Sequence, residues 1–427
     1  MLKNKYLLFF VTIFLNILSI LMFKNDNIQS INWTFPYMSG AANFDKVFDW
    51  KISPSDYKIA KSLTLNEYKN YKHKKTRVLV DNTVNNYGYV FVALISRKLF
   101  PFTGDINGIV LFQILTHISI SLFLILFVFN NNLERFGFLF LYSINPLIIH
   151  FVTFPFYYFW MVIPSFLFII LIKMETWRNA LIFIAIPIIL FSLLIRPTTI
   201  FLVIFFYFTA FFVAKSVLDK FRAILAFLLF TSSFFFISSF FKSNAAPWHT
   251  MYVGIGAYSN NLGINKLSDE EGYIYFQNRT GINIDTDPVN GNYSDLGIRQ
   301  NYLEELKNKY LSISSEHPEL ILRNALFNFF QVFSIGFIVG KPVLLIPNMI
   351  IGLIIIFFLV YTKNFIYLAA IISSACSFFL FFPPIPAYNF SAYLLLIMAI
   401  LNGIKPFLIR INLLNKLKLK DLSFFYK

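Results

Sequence analysis

The stretch Val343–Val360 reads VLLIPNMIIGLIIIFFLV and holds eighteen residues without one charged side chain. A helix that crosses a bilayer needs about 20 mostly apolar residues, so this stretch predicts a membrane-spanning helix. Nine further runs have the same character: Leu7–Phe23, Ile109–Phe129, Phe136–Val152, Phe156–Leu171, Leu181–Leu194, Thr198–Val213, Ile224–Phe241, Phe365–Phe382 and Phe390–Leu401. We therefore expect an all-α polytopic membrane protein with about 10 transmembrane helices.

The composition of the whole chain agrees with this prediction. Of 427 residues, 57% are apolar, 13% are charged and 56 are Phe. Soluble domains contain about 25% charged residues, so the composition excludes a cytosolic enzyme and a disordered chain. Cys376 is the only cysteine, which excludes an internal disulfide framework, cysteine-based zinc sites and iron–sulfur clusters.

The basic residues follow a membrane topology rather than a nucleic-acid-binding surface. The net charge is +15, yet Lys and Arg stand in short turns between the apolar runs, and these turns alternate with turns almost free of charge. Basic short turns stay in the cytoplasm. The alternation predicts a multi-pass protein with both termini in the cytoplasm and without a nucleic-acid partner. Richness in Asn, Lys, Ile and Phe is typical of an AT-rich bacterial genome, so we expect a bacterial inner membrane.

The acidic residues divide the chain. Of 21 Asp and Glu, 7 lie between Lys24 and Asp105 and 10 lie between Ser243 and Leu322, and the topology puts both segments outside. Leu7–Phe23 has no small-x-small cleavage site beside it, so a retained anchor is favoured over a signal peptide. The expected parts are a first anchor (1–23), an outer loop with interfacial helices (24–105), a transmembrane bundle (106–241), a second outer loop with an interfacial helix (242–341), C-terminal transmembrane helices (342–404) and a basic cytoplasmic tail (405–427).

Two apolar stretches are left over from the count of ten. Tyr87–Pro101 holds Arg97 and Lys98, and Ala325–Val339 follows the second loop directly. We expect both to be helices in the outer interface, where basic side chains reach the headgroups. The alternative is that one of them spans the membrane with an irregular partner, which extends the range to 10–12 helices. Tyr302–Ser312 has helical periodicity and predicts a short polar helix.

Several kinds of chemistry lack sequence support. The chain has no P-loop, dinucleotide fingerprint, HExxH or GxSxG motif. Its five His have no metal-ligand spacing, so neither a metal nor a cofactor is predicted. The apolar runs carry almost no charge, whereas ion-coupled transporters need charged groups near the midplane. Chemistry is therefore expected at the outer face.

Three stretches carry a resemblance to a known class. They are SDYKIAK at 55–61, NYGY at 86–89 with LFP at 99–101, and LLIRP at 193–197. Together with an anchor, a long outer loop, a bundle and a second outer loop, they resemble the GT-C membrane glycosyltransferases, such as protein O-mannosyltransferases and lipid A aminoarabinose transferases. Asp56 adjoins Tyr57 where that class spaces the acid and Tyr apart, and Pro101 stands where Gly is usual, so the choice among the acids stays open.

The resemblance implies transfer of a sugar from a polyprenyl-phosphate carrier to a glycan, lipid or protein acceptor at the outer face. Such a transfer needs a carboxylate to accept the hydroxyl proton of the acceptor. Asp56 is the first candidate, followed by Asp45, Asp49 and Asp81. A lone Asp is also a common helix cap or solvated charge.

Substrate-binding candidates are cationic or aromatic residues of the outer face, since charge builds on the leaving phosphate. Each candidate has an alternative role as an interface anchor. The acidic cluster at 269–271 is interpreted as a helix cap rather than a cation site. The binding candidates are Arg196, Arg97, Lys98, Tyr57, Trp248, His249, Tyr252 and Arg279.

Two rival functions remain open from the sequence. One is a surface-polysaccharide polymerase or ligase, which also has large outer loops. The other is a flippase or transporter of lipid-linked saccharides, for which polar or charged groups inside the spans are expected.

Overall fold

The computed structural model describes residues 2–25, 28, 30–75, 78–81, 86–241 and 247–410, except the side chains of 2–4, 405 and 408–410. The tail predicted at 405–427 lies outside the described residues from 411 onward. Apart from a single bridge between Ile52 and Val80, this part of the chain has helices and no strand.

The α-helices of the described part number nineteen. They are α1 (Leu2–Phe23), α2 (Ile31–Val47), α3 (Pro54–Ser62), α4 (Leu65–Lys69), α5 (Tyr87–Leu99), α6 (Asp105–Phe123), α7 (Asn132–Phe138), α8 (Pro146–Thr153), α9 (Val162–Lys173), α10 (Arg178–Ile195), α11 (Ile200–Phe212), α12 (Val217–Phe240), α13 (Trp248–Ile255), α14 (Asp269–Thr280), α15 (Leu296–Glu316), α16 (Pro318–Val332), α17 (Leu345–Tyr361), α18 (Phe365–Ala375) and α19 (Phe390–Arg410). Short 3-10 helices cover Tyr157–Met161, Glu175–Trp177, Pro197–Thr199, Asn292–Ser294 and Pro342–Leu344, and π-helical turns cover Leu124–Val128 and Leu139–Ser143.

Five helical segments of the described part are long and apolar enough to cross a membrane. They are Lys5–Phe23, Asp105–Val128, Glu175–Ile195, Val217–Phe240 and Pro342–Tyr361. A sixth span results if Asn132–Ser143 and Pro146–Thr153, which meet at 54°, count together. Because lipid offers no partner for backbone N–H and C=O groups, such runs must be helical. The expectation of an all-α integral membrane protein is confirmed.

α9 lies at the centre of the helical bundle. It packs against α10, α11 and α19, and most of its residues are buried. The candidate spans at Lys5–Phe23, Val217–Phe240 and Pro342–Tyr361 bury only 17% of their residues inside the protein, so they form the bundle's periphery. The bundle positions the end of α10, where Arg196 follows.

The first long segment folds onto the bundle through α2 and α5. α2 is buried over Thr34–Asn43, and α5 packs against α2, α6 and α10. A helix was predicted at Tyr87–Pro101, and the structure has one at Tyr87–Leu99. Three other helices therefore cover α5, including its apolar face.

The second long segment is also helical. The polar helix predicted at Tyr302–Ser312 is present and longer, since α15 covers Leu296–Glu316. The helix predicted at Ala325–Val339 is right only in its first part, because α16 ends at Val332. Gly336 then adopts a positive φ of 93°, a turn conformation that a helix does not contain.

Candidate functional site

Arg196 stands directly after the last residue of α10. Its guanidinium carbon lies 4.9 Å from the centre of the Tyr157 ring and 5.0 Å from that of Tyr388, so the cation is held between two aromatic faces. Its Nε is buried without a hydrogen-bond partner, and among the described residues no carboxylate forms an ion pair with it. The arrangement leaves a positioned cation with donors for an anion.

Tyrosines from the first long segment, residues 24–105 (loop one), complete the wall around this guanidinium. Tyr37 of α2 lies 6.5 Å from Tyr157 and 5.0 Å from Tyr89 of α5, measured between ring centres. Asn86 donates a hydrogen bond to the Tyr37 hydroxyl at 3.2 Å. Burial raises the pKa of Tyr37, so this hydroxyl stays protonated at neutral pH. The wall is therefore aromatic with neutral polar edges.

Gly88 determines how closely α5 approaches the Arg196 helix. A Cβ built on Gly88 would overlap the backbone of Leu194 and Ile195, the last two residues of α10. Only a residue without a side chain fits this contact. The close approach brings Tyr89 of α5 to the wall that surrounds Arg196.

The Gly88→Ala variant should be destabilised because the overlap is with backbone atoms, which move less easily than side chains. We expect a loss of about 1–3 kcal/mol, the usual cost of overpacking, seen as a lower midpoint of thermal unfolding in detergent. Gly297→Ala is the matched control, because the nearest atom to its Cβ is a side-chain oxygen at 3.2 Å on the exposed first turn of α15. Equal midpoints for Gly88→Ala and wild type would contradict the packing argument.

The second long segment, residues 242–341 (loop two), contributes a histidine–carboxylate pair. His249 of α13 lies with Nε2 3.0 Å from Oδ1 of Asp269, the first residue of α14, and with Nδ1 against the Tyr302 hydroxyl. A carboxylate only accepts, so Nε2 donates to Asp269 and Nδ1 accepts from Tyr302. A Cβ on Gly272 would lie 2.6 Å from the Tyr302 oxygen, so this glycine lets α14 approach the pair.

Asp269 combines ionisation with access to solvent. The hydrogen bond with His249 lowers the pKa of the Asp269 carboxyl, so the group is charged at neutral pH. Its side chain is 63% exposed. An ionised and accessible carboxylate that His249 orients can accept a proton.

Tyr388 lies against the Arg196 guanidinium and is influenced by charges from two elements. Burial raises the pKa of the Tyr388 hydroxyl, the Arg196 guanidinium opposes this effect, and the Asp269 carboxylate adds to it. Asp269 therefore contributes to the electrostatic potential at the tyrosine that packs on Arg196.

Asp56, the first candidate base, lies inside loop one and is 1% exposed. Its Oδ1 accepts hydrogen bonds from the Tyr71 hydroxyl at 2.6 Å and from the Lys74 backbone N–H at 3.0 Å, while Oδ2 is buried without a partner. The groups interacting with Arg196 are tyrosines 37, 157, 158 and 388. The structure thus shows no common neighbour of Asp56 and Arg196 among these contacts.

The other three acidic candidates of loop one are paired with lysines. Asp45 forms an ion pair with Lys98. Asp49 accepts a hydrogen bond from the Lys51 backbone N–H at 3.3 Å, and Asp81 lies 3.8 Å from the Lys51 amine. Asp81 is 91% exposed, so its pair is worth little.

Two binding candidates of loop one take part in polar contacts that hold the loop together. Arg97 pairs with the buried Asp105, which also accepts from the backbone and the ring of His73. Tyr57 donates to Asp287 of loop two at 2.9 Å, where the Lys61 amine also binds at 2.7 Å. Burial by itself would raise the pKa of Asp287, but the hydrogen bonds to its carboxylate, led by that from Lys61, lower it to about 2. This cluster ties loop two to loop one.

The remaining binding candidates of loop two have different surroundings. Trp248 lies beneath the Lys307 amine, which is 5.7 Å from its ring centre. Tyr252 is buried and packs on Tyr275 at 5.3 Å between ring centres. Arg279 is 69% exposed and lies 3.8 Å from Glu305, which is an ordinary surface arrangement.

Sequence reasoning missed the tyrosine partners of Arg196 and the pairing of Asp269 with His249. Tyr157 and Tyr388 resemble interface aromatics in the sequence. The acidic cluster at 269–271 favours helix capping, but in the structure the side chain of Ser268 caps α14 and the three acids form its first turn. The available signal in the sequence was His249, which is one of the binding candidates. Among the described residues, no group of three or more His, Cys, Asp and Glu is placed to hold a metal ion.

The described helices thus define an all-α integral membrane protein with an arginine–tyrosine cluster at the end of a long apolar helix. No protein-family model, curated protein or solved structure matches the chain.

Proposed function

We propose that the chain is a GT-C type glycosyltransferase that moves a sugar from a polyprenyl-phosphate-linked donor to a glycan, lipid or protein acceptor at the outer face of the membrane. The observation that carries the proposal is the Arg196 guanidinium, held between Tyr157 and Tyr388 without an acidic partner among the described residues. A planar cation whose buried Nε has no hydrogen-bond partner suits a phosphate that gains charge as it leaves.

The membrane arrangement belongs to the same proposal. Four shorter apolar helices overlap predicted runs, namely Tyr157–Lys173, Pro197–Phe212, Phe365–Ala375 and Phe390–Ile404. With the five long segments and the bent pair they make ten spans, an even number that puts both termini on one side. Basic turns favour the cytoplasm for that side, in a bacterial inner membrane. Residues 24–105 and 242–341 then lie outside.

The reaction assigns a task to each side of the site. The acceptor oxygen bonds to the anomeric carbon, the bond from that carbon to the phosphate oxygen breaks, and its electron pair goes to the phosphate. Arg196 stabilises the departing phosphate, and a carboxylate accepts the hydroxyl proton. Asp269, oriented by His249, is our preferred proton acceptor because it is ionised and accessible. Asp56 stays the candidate from the sequence resemblance.

The rivals differ in what they require. A polymerase or ligase shares the lipid-linked donor and transfers whole glycans, so donor size separates it from a transferase of single sugars. A flippase or transporter moves its substrate between two compartments and breaks no bond. The sparse charge of the apolar helices favours an enzyme over a coupled transporter.

Turnover in detergent tests the proposal. The purified full-length protein is given a panel of polyprenyl-phosphate-linked hexoses and pentoses with candidate acceptors, and release of the polyprenyl phosphate is measured by mass spectrometry. A transferase consumes donor without any second compartment, whereas a flippase does not. A panel that stays intact with well-folded protein would overturn the transferase proposal.

A further inference from the structure

A separate groove of about 320 Å³ lies between the first turn of α13 and the N-terminal half of α15. Its polar lining is mostly cationic, with Arg299 and Lys307 against a single acid, Glu304. Trp248 and Gln300 also line it. The groove thus combines an aromatic face, an amide and two cations.

Arg299 is the unusual residue of this groove. It is only 6% exposed, and its Nε has no hydrogen-bond partner. No carboxylate of the described residues pairs with it, and its guanidinium carbon lies 5.3 Å from the centre of the Tyr293 ring. A buried cation without a counter-charge is costly, so an anion in the groove would gain a strong partner.

Trp248 supplies a surface for a ring beside this cation. The Lys307 amine lies 5.7 Å from the centre of its indole, at an exposed position of α15. The C–H face of a sugar ring packs on an indole, while an acid group on that sugar reaches the two cations. Aromatic face and cations together favour an acidic saccharide over a bare inorganic anion.

The groove adjoins the histidine–carboxylate pair. Trp248 precedes His249 in the chain, and Tyr293, which faces Arg299, lies 5.8 Å from Tyr302 between ring centres. The Tyr302 hydroxyl in turn bonds to His249. Tyr293 and Tyr302 thus link the groove at Arg299 to the pair that contains Asp269.

We propose that this groove binds an acidic saccharide, through a carboxylate or phosphate on Arg299 and Lys307 and a sugar ring on Trp248, and presents it as the acceptor. The assignment as acceptor rests on the proposed function, whereas the binding itself does not.

Ligand-observed NMR titration of the full-length protein in detergent tests the binding, without any lipid donor. The probes are trigalacturonic acid, its neutral methyl ester, glucose 6-phosphate and glucose. The acidic member of at least one pair should bind about tenfold or more tighter than its neutral partner, the scale of one charge-assisted contact. Binding of only the carboxylate or only the phosphate sugar identifies the acid group and supports the proposal.

Variants separate this groove from general surface charge. Arg299→Gln should weaken acid binding about tenfold or more, and Lys307→Gln, at an exposed position, should weaken it several-fold without affecting folding. Lys266→Gln, an exposed cation of the same segment that does not line the groove, is the matched control and should leave binding unchanged. Equal affinity for acidic and neutral probes would overturn the proposal, as would equal losses in Lys266→Gln and Lys307→Gln. Turnover with neutral acceptors but without acid binding would contradict the groove proposal and leave the transferase proposal intact. Acid binding without donor turnover would contradict only the transferase proposal.

Discussion

Replacement of Arg196 by Ala is expected to reduce donor turnover roughly 30- to 150-fold, because a charge-assisted hydrogen bond to the leaving phosphate is worth about 2–3 kcal/mol. Arg196→Lys should lose less, since the charge remains, but it should not recover fully. An ammonium cannot form two parallel hydrogen bonds or stack flat between Tyr157 and Tyr388 as the guanidinium does. The measurement is the initial rate of polyprenyl-phosphate release.

A purely structural role for Arg196 predicts a different pattern. Loss of a cation between two rings would lower the thermal midpoint and affect all activities in proportion. Arg222→Ala is a suitable control, because Arg222 pairs with Asp219 three residues earlier, near the N-terminal end of α12. Full turnover of Arg196→Ala, with a wild-type thermal midpoint, would remove Arg196 from the site.

The Asp269→Asn variant is expected to lose about a hundredfold or more of its turnover, the usual contribution of a general base. The amide keeps the size of the side chain and cannot take a proton. Because the pKa of Asp269 is lowered, the carboxylate stays ionised in mildly acidic solution, so wild-type turnover should not fall there through protonation of this group. Folding should be preserved, since the side chain is largely exposed.

Two comparisons give this experiment its meaning. Glu270→Gln changes the neighbouring exposed acid of the same cluster and should leave turnover unchanged. Asp56→Asn should mainly lower the thermal midpoint, because Asp56 is buried and accepts bonds from Tyr71 and Lys74. A hundredfold loss in Asp56→Asn, with full turnover in Asp269→Asn, would return the role of base to loop one.

The long apolar helices were predictable because each depends on a local property. A run such as Val343–Val360 must be helical in lipid whatever surrounds it, since its backbone groups have no other partner. The helix at Tyr87–Leu99 was predicted from a shorter apolar run that ends in Arg97 and Lys98. The basic residues in the connecting turns predict which turns lie in the cytoplasm. The end of α16 was missed because a turn at Gly336 follows an apolar run without a clear local break.

The site depends on contacts between distant parts of the chain. Arg196 was recognisable at a helix end, but its partner Tyr388 comes almost two hundred residues later. Asp269 belongs to an acidic cluster whose sequence favours helix capping, yet Ser268 caps α14 and Asp269 pairs with His249. Asp56 had the family-like neighbours in sequence and yet is buried within loop one.

The sequence by itself determined that this chain is an all-α membrane protein. It also determined that most acidic residues lie in two segments that separate groups of apolar runs along the chain, because apolar length and charge are properties of single segments. Only the tertiary structure decided that Asp269 pairs with His249 at an exposed position while Asp56 is buried inside loop one. It also decided that Arg196 lies between Tyr157 and Tyr388, and it joins loop one to α10 through close packing at Gly88 and to loop two through the ion pair of Lys61 with Asp287. Such contacts arise from the shapes and charges of surfaces that meet only after folding, and no local pattern specifies them.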